Sequence, residues 1–120
     1  MIIGVGTDII ETERIKKALE REGFLKNTYT DAEAELIKKR PASAAGNFAA
    51  KEAVAKALGS GFSGFGPKEV EILRDKAGKP FVNLYGGAKK KAEEINVNRI
   101  HVSISDVSGC AVGMAVAEGE

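Results

Sequence analysis

The chain has 120 residues, and its 43% hydrophobic content is enough for one compact core, so we predict a single domain over residues 1–120. Eighteen Lys and Arg nearly balance seventeen Asp and Glu, which argues against a nucleic-acid-binding protein held mainly by counterion release. No apolar run could span a membrane, MIIGVGTD does not resemble a signal peptide, and Cys110 is the only cysteine. We therefore expect a cytoplasmic protein with no membrane partner.

The chain opens with a predicted strand, IIGVGTDII, in which alternate residues face opposite sides. Ile3, Val5, Thr7 and Ile9 form one face, which we expect to be the core. The opposite face holds Gly4, Gly6 and Asp8. Because glycine has no side chain, we expect room for a ligand beside Asp8.

Three helices should follow this strand. The segment TERIKKALEREG is helical in pattern, with Thr12 as N-cap and Gly23 as C-terminal stop. Thr30 and Glu33 have capping-box spacing, which predicts a helix through about Lys39. The alanine-rich segment after Pro41 predicts a third helix over about 42–58, ended by Gly59.

The second half of the chain is mostly strand in pattern. EVEILRD and PFVNLY predict a hairpin that turns at Gly78, GGAKKKAEEINV predicts a helix, and RIHVSIS and CAVGMAVAE predict two further strands. The predicted class is α+β, with a small antiparallel sheet packed with helices.

Glu52 is a carboxylate on the apolar side of the alanine-rich helix. An ion pair with Lys56, one turn later, would explain it and would contribute about 0.2–0.5 kcal/mol. However, its other neighbours on that face are Phe48, Ala49 and Ala55, which would hold the carboxylate against a low-dielectric surface. A divalent cation is a second possible partner.

Asp8 can likewise be interpreted in two ways, as a strand-end turn residue or as a ligand. Together with Glu52 it would suit Mg²⁺, which binds through one or two carboxylates and keeps several waters. A nearby lysine would complete a phosphate site.

Three other features carry no predicted chemistry. GSGFSG matches the glycine pattern of dinucleotide-binding proteins but follows a helix instead of a strand. His101 is the only histidine and has no cysteine or second histidine beside it, so we assign it a structural role. The run Lys89–Lys91 precedes Glu93 and Glu94 and is typical of a solvated helix face.

Three segments together resemble one family. GVGTDIIETERI, NFAAKEAVAKALGSGF and HVSIS, which span nearly the whole chain, are similar to the holo-acyl-carrier-protein synthases, small 4′-phosphopantetheinyl transferases of bacterial lipid synthesis. The resemblance implies transfer of 4′-phosphopantetheine from coenzyme A to a serine of apo-acyl carrier protein, with release of adenosine 3′,5′-bisphosphate. It also implies Mg²⁺ and a homotrimer with active sites between subunits.

The resemblance assigns roles to individual residues. Asp8 and Glu52 match the metal-binding carboxylates, and Lys56 matches the phosphate-facing lysine, which makes these three the expected catalytic residues. Either Glu52 or a metal-bound water would take the proton of the acceptor serine. The helix after Asp8 would dock the acidic carrier protein. Arg14 matches the family's arginine there, and Lys17 and Arg21 extend the row.

The expected coenzyme A contacts are Lys56, Gly61, Pro80 and Asp106. Two positions depart from the family pattern: Asn47 replaces an arginine, and Asp106 replaces a histidine. Both changes disfavour a phosphate site by Coulomb's law. Compensating charge would come from His101 or from the cluster 38–40, or Asp106 would join the metal shell. The alternative is a non-catalytic paralogue that binds coenzyme A or a carrier protein without transfer.

Overall fold

The computed structural model describes all 120 residues and has an α+β architecture, as predicted. Two antiparallel sheets are present, one with the strand order β1-β5-β4 and one formed by β2 and β3. The elements in chain order are β1 (Ile2–Glu11), α1 (Thr12–Leu19), α2 (Phe24–Thr28), α3 (Asp31–Lys39), α4 (Ser43–Ala57), a 3₁₀ turn (Pro67–Glu69), β2 (Val70–Arg74), β3 (Pro80–Leu84), α5 (Gly86–Glu94), β4 (Val97–Val107) and β5 (Cys110–Gly119).

Helix α4 is the centre of the fold. It crosses the three-stranded sheet, and its alanines at positions 49, 50, 53 and 55 are fully buried. Its opposite side faces α3, the 3₁₀ turn and β2, so the helix is apolar on most of its circumference. Small side chains let the backbone of α4 lie unusually close to the sheet.

The glycines of β1 make this close approach possible. A side chain at Gly4 would overlap the carbonyl oxygen of Ala57, and one at Gly6 would overlap that of Ala53. On β5, Gly113 meets the backbone at Ala49 in the same way. The expectation that the glycine face of β1 is open to a ligand is therefore wrong, because α4 fills it.

The other face of β1 is exposed instead of forming the core. Val5 is 61% and Ile9 67% exposed, and Met114 on β5 lies on the same side of the sheet, opposite Thr7. The alternation was predicted correctly, but the face assigned to the core is the outer one except at Ile3, which packs against the core at a register shift. We call the outer residues Val5, Ile9, Val112, Met114 and Val116 the outer apolar face.

Local signals set most element boundaries. Thr30 and Glu33 form the predicted capping box of α3, and Gly59, with φ 85°, follows the end of α4. Thr12 is the first residue of α1 and not its N-cap, which is Glu11; the Thr12 amide donates to the carbonyl of Gly109. Helix α1 ends at Leu19, and Gly23 precedes the short helix α2, which was not predicted. None of the helices combines the length and apolar character that a bilayer span requires.

Candidate active site

Asp8 lies near the end of β1, on the side that faces α4. Its strand partner Gly113 has no side chain, and the side chain that contacts the Asp8 carboxylate comes from helix α4. The Nζ atom of Lys56 donates to the backbone oxygen of Thr7 at 2.9 Å and to Oδ1 of Asp8 at 3.2 Å. The Asp8 side chain is 21% and the Lys56 side chain 51% exposed, so a ligand can reach both.

Glu52 lies one turn before Lys56 on α4 and belongs to the same group. Its carboxylate is partly buried and accepts no hydrogen bond from the protein. Burial raises the pKa of Glu52, and the neighbouring Asp8 carboxylate raises it further, whereas Lys56 and Arg14 lower it. Lys56 pairs with Asp8, so the ion pair between Glu52 and Lys56 is not formed.

The carboxylates of Asp8 and Glu52 repel each other and share a single close lysine. A divalent cation would relieve this repulsion, and oxygen ligands are the donors that Mg²⁺ prefers. No group of three or more His, Cys, Asp or Glu side chains is present that could form an all-protein cage. Two carboxylates are nevertheless sufficient for an Mg²⁺ ion that also binds waters and substrate phosphates. The residues therefore fit the ion.

The predicted docking residues lie on and after α1. Arg14 and Lys17 are exposed on the helix, and Ile15 and Ala18 bury its other side. Arg14 is near enough to Glu52 to lower its pKa. Arg21 follows the end of α1, where its guanidinium lies 5.8 Å from the ring centre of Phe24, so the three basic residues do not share one helix.

Pro80 and Asp106 line a common cleft of about 220 Å³. Two arginines, Arg40 and Arg74, line it as well, together with Ser43 near the start of α4. Burial lowers the pKa of Arg74, and the positive charge of Arg40 lowers it further. The cleft thus holds two guanidinium groups and only one carboxylate. Because the two guanidinium groups repel each other, an anion bound between them is favoured. Arg74 was missed in the sequence because nothing there distinguished it from a surface cation.

The other two residues expected at coenzyme A lie elsewhere. Gly61 follows the C-terminal end of α4, where φ is 57° and its amide donates to the oxygen of Ala55. Lys56 is on the last turn of the helix. Glu52 is nine residues after Ser43, which is about 13 Å along the helix axis. The cleft therefore lies at the start of α4, and the group of Asp8, Glu52 and Lys56 lies toward its end.

The two departures from the family pattern differ in consequence. Asn47 is fully buried, and its amide nitrogen donates to Glu33 at 3.0 Å and to the oxygen of Ile72 at 2.9 Å. It therefore stabilises the interior and removes no charge from the cleft in this fold. Asp106 does lie in the cleft. Of the proposed compensating cations, Arg40 lies beside it, whereas His101 pairs with Glu118 at 2.9 Å.

Comparison with known proteins agrees with the motifs. A model of the 4′-phosphopantetheinyl transferase superfamily matches residues 4–111. The holo-acyl-carrier-protein synthase of Lachnoclostridium phytofermentans is 50% identical over 122 residues, which cover 98% of this chain and 100% of that protein.

Solved structures of similar proteins share the fold. The acyl carrier protein synthase of Plasmodium yoelii with ADP bound has a TM-score of 0.90 and 38% identity, with coverage of 100% of this chain and 97% of that one. The Helicobacter pylori holo-acyl-carrier-protein synthase in complex with coenzyme A has a TM-score of 0.85 and 31% identity, with coverage of 95% and 99%. The chain belongs to the 4′-phosphopantetheinyl transferase superfamily and is an enzyme of its holo-acyl-carrier-protein synthase type.

Proposed function

We propose that this enzyme transfers 4′-phosphopantetheine from coenzyme A to a serine of apo-acyl carrier protein in an Mg²⁺-dependent reaction. A bond forms between the serine oxygen and the phosphorus that carries the pantetheine. The pyrophosphate bond breaks, and adenosine 3′,5′-bisphosphate leaves. The observation that carries this proposal is the group formed by Asp8, Glu52 and Lys56 between β1 and α4, in a chain whose family performs this transfer.

Asp8 and Glu52 would hold the Mg²⁺ ion. Bound there, the ion would supply positive charge against the pyrophosphate, where negative charge develops as the bond breaks. Lys56 adds a second positive charge beside Asp8, and its half-exposed ammonium can turn toward a phosphate oxygen. Positioning and charge neutralisation supply most of the rate in such reactions.

The acceptor serine must lose its proton as its oxygen attacks. The Glu52 carboxylate suits this task because it lies beside Asp8 and accepts no hydrogen bond from the protein, so one of its oxygens is free to accept a proton. Asp8 is already occupied by the Lys56 ammonium at 3.2 Å, so we assign the proton to Glu52.

The cleft between Arg40 and Arg74 is the proposed site for the nucleotide end of coenzyme A. Its two guanidinium groups outweigh the Asp106 carboxylate, and Pro80 adds an apolar wall for the base. The coenzyme A complex of the Helicobacter pylori relative supports coenzyme A as the donor. Within one protomer, however, the cleft lies at the start of α4 and the catalytic group lies toward its end.

A homotrimer would resolve this separation, because a second subunit can bring its cleft to the catalytic group of the first. The outer apolar face supports such an assembly, since exposed apolar patches of this kind mark protein interfaces. The basic residues Arg14, Lys17 and Arg21 would lie beside the resulting site. Their charge suits an acidic carrier protein.

Transfer is tested by the intact mass of the acceptor. Purified enzyme is incubated with apo-acyl carrier protein, coenzyme A and Mg²⁺, with a parallel reaction in EDTA. A gain of one phosphopantetheine only in the presence of the metal supports the proposal. Bound coenzyme A without any gain in mass would instead favour the non-catalytic alternative, although Asn47, one of the two residues that raised it, lies in the core.

A further inference from the structure

A buried lysine precedes the catalytic glutamate. The Lys51 side chain is 1% exposed, and its Nζ atom donates to Oε1 of Glu33 at 2.6 Å, to the oxygen of Pro67 at 2.8 Å and to the oxygen of Val70 at 2.6 Å. An ammonium has three protons, so all of its donors are used. These three acceptors come from α3, the 3₁₀ turn and β2.

Glu33 is equally well satisfied. Its carboxylate also accepts from the amide of Thr30 at 3.1 Å, from the side-chain nitrogen of Asn47 at 3.0 Å and from the amide of Ile72 at 3.2 Å. Asn47 and Lys51 are four residues apart and therefore lie on the same side of α4. This side of the helix is connected to its neighbours by directional hydrogen bonds, all of them in the interior.

The opposite side of α4 has a different character. There the helix backbone rests on Gly4, Gly6 and Gly113, which have no side chains to interlock with it. Such contacts limit how closely the helix approaches the sheet, but they resist sliding along the helix axis and rotation about it only weakly. The hydrogen bonds of Asn47 and Lys51 add directional contacts that resist both movements.

Stability alone is a weak reason to keep this arrangement. Desolvation of two buried charges is expensive, and replacing a buried ion pair by well-packed apolar residues is often neutral or stabilising. Catalytic groups, in contrast, must be held to within about 0.5 Å of the productive geometry. Glu52 directly follows Lys51, and a helix transmits any shift of one residue to the next.

On the basis of the proposed function, we propose that Lys51, assisted by Asn47, is a positioning residue for the catalytic group. It sets the rotation of α4 about its axis and the position of α4 along that axis. Both determine where Glu52 and Lys56 lie relative to Asp8 on β1. Loss of these hydrogen bonds should weaken metal binding at Asp8 and Glu52 even where the fold remains stable. Removal of partners that orient metal ligands typically costs about 10- to 100-fold in metal affinity.

The test compares three variants with the wild type. Lys51→Met removes the ammonium but leaves Glu33 unpaired, so it is expected to lose both stability and metal affinity. Glu33→Met/Lys51→Met replaces both charges by apolar groups and is expected to recover part of the stability, because the amide of Ile72 and the oxygens of Pro67 and Val70 still lose their partners. Val54→Ala is the matched control, because Val54 is fully buried on the same helix and lies outside the polar network. Thermal unfolding measures stability, and Mn²⁺ titration followed by electron paramagnetic resonance measures metal affinity.

We expect the double variant to melt above Lys51→Met and still bind Mn²⁺ at least about tenfold more weakly than the wild type. We expect Val54→Ala to melt lower and keep wild-type affinity. If the Mn²⁺ affinity falls in step with the melting temperature across all three variants, the proposal is overturned. Absence of Mn²⁺ binding by the wild type would instead overturn the proposed metal site.

A crystal structure of the double variant gives a readout that needs no metal. The proposal expects α4 to shift against β1, so that the contact of 3.2 Å between Lys56 and Asp8 is lost. An unchanged contact in that structure would overturn the positioning role, whatever the metal titration shows. If Lys51→Met does not fold, the double variant and Val54→Ala still decide the question.

Discussion

Lys56 on α4 pairs with Asp8 on β1, Nζ to Oδ1 at 3.2 Å, and not with Glu52 one turn earlier on its own helix. The pairing leaves the Glu52 carboxylate without a partner beside a second carboxylate. It also joins the helix to the strand at the point where the two proposed metal ligands meet. The chemistry proposed for this enzyme depends on that arrangement.

Lys56→Met should reduce transfer strongly and leave stability almost unchanged. The exposed ion pair contributes at most about 1 kcal/mol to folding. Loss of a group that stabilises transition-state charge typically costs about 100-fold or more in kcat. Steady-state kinetics with coenzyme A and urea unfolding measure the two effects. Lys90→Met, at an exposed position of α5, is the control and should behave as wild type; equal activity of the two variants would exclude Lys56 from catalysis.

Metal affinity should fall on acidification at a higher pH than for an ordinary carboxylate site. Only ionised Glu52 would bind the cation, and burial together with Asp8 raises the pKa of this carboxyl above its ordinary value. Because the pKa is higher in the folded state, the contribution of Glu52 to stability is present below the unfolded-state pKa and is lost as pH rises through the folded-state value. Mn²⁺ titrations between pH 4 and 7 measure the pH at which metal affinity falls. An affinity that stays constant down to the ordinary pKa range of a carboxyl group would contradict the prediction.

Gly6→Ala should destabilise the protein by about 3 kcal/mol or more, because the added carbon would overlap the carbonyl oxygen of Ala53 and the helix cannot move away without losing its other contacts. Urea unfolding gives the change. Gly66→Ala is a matched control: no atom lies within 4 Å of the added carbon, and φ is −108°. The control should be unchanged or more stable by less than about 1 kcal/mol.

Val5→Asp should dissociate the proposed trimer without unfolding the protomer. Val5 is 61% exposed on the outer apolar face, so the new charge is solvated in the monomer and buried only in the assembly. Sedimentation velocity measures the mass, and circular dichroism checks the fold. Phe81→Asp, at a residue 40% exposed on the other sheet, is the control and should leave the mass unchanged. A trimeric Val5→Asp variant would show that the interface lies elsewhere.

Lys17→Glu should raise the KM for acyl carrier protein several-fold and leave that for coenzyme A unchanged. Arg14 is a less selective choice, because it also lowers the pKa of Glu52. Lys16→Glu provides a matched charge reversal. Lys16 lies on another side of α1, where it lines a shallow groove together with Ile15 and Leu19. Similar effects of both reversals on the carrier-protein KM would argue against a specific docking row.

The sequence predicted the elements well because their signals are local. The glycine turn at position 78, the capping box of Thr30 and the stop at Gly59 each involve residues a few positions apart. The core face of β1 was assigned to the wrong side for a physical reason. Apolar side chains normally face the core, but the alanines of α4 need the space that only glycines leave, and the apolar side remains outside.

The candidate site was predicted in part. Motif resemblance singled out Asp8, Glu52 and Lys56, which the structure brings together. The resemblance did not show that Asn47 belongs to the interior, because its partners Glu33 and Ile72 are 14 and 25 residues away. Arg74 and Lys51 were likewise missed, since a cation in the sequence gives no sign of whether it faces a cleft, a core or water.

Mixed trimers test whether the catalytic group of one subunit acts on coenzyme A held in the cleft of another, as proposed. Glu52→Gln removes the catalytic group and Arg74→Ala weakens the cleft, so each variant alone should be nearly inactive in the mass assay. Co-expression of the two in equal amounts should restore roughly one site in four, because a cyclic trimer then pairs an intact catalytic group with an intact cleft at that frequency. Mixed trimers no more active than either parent would contradict the claim.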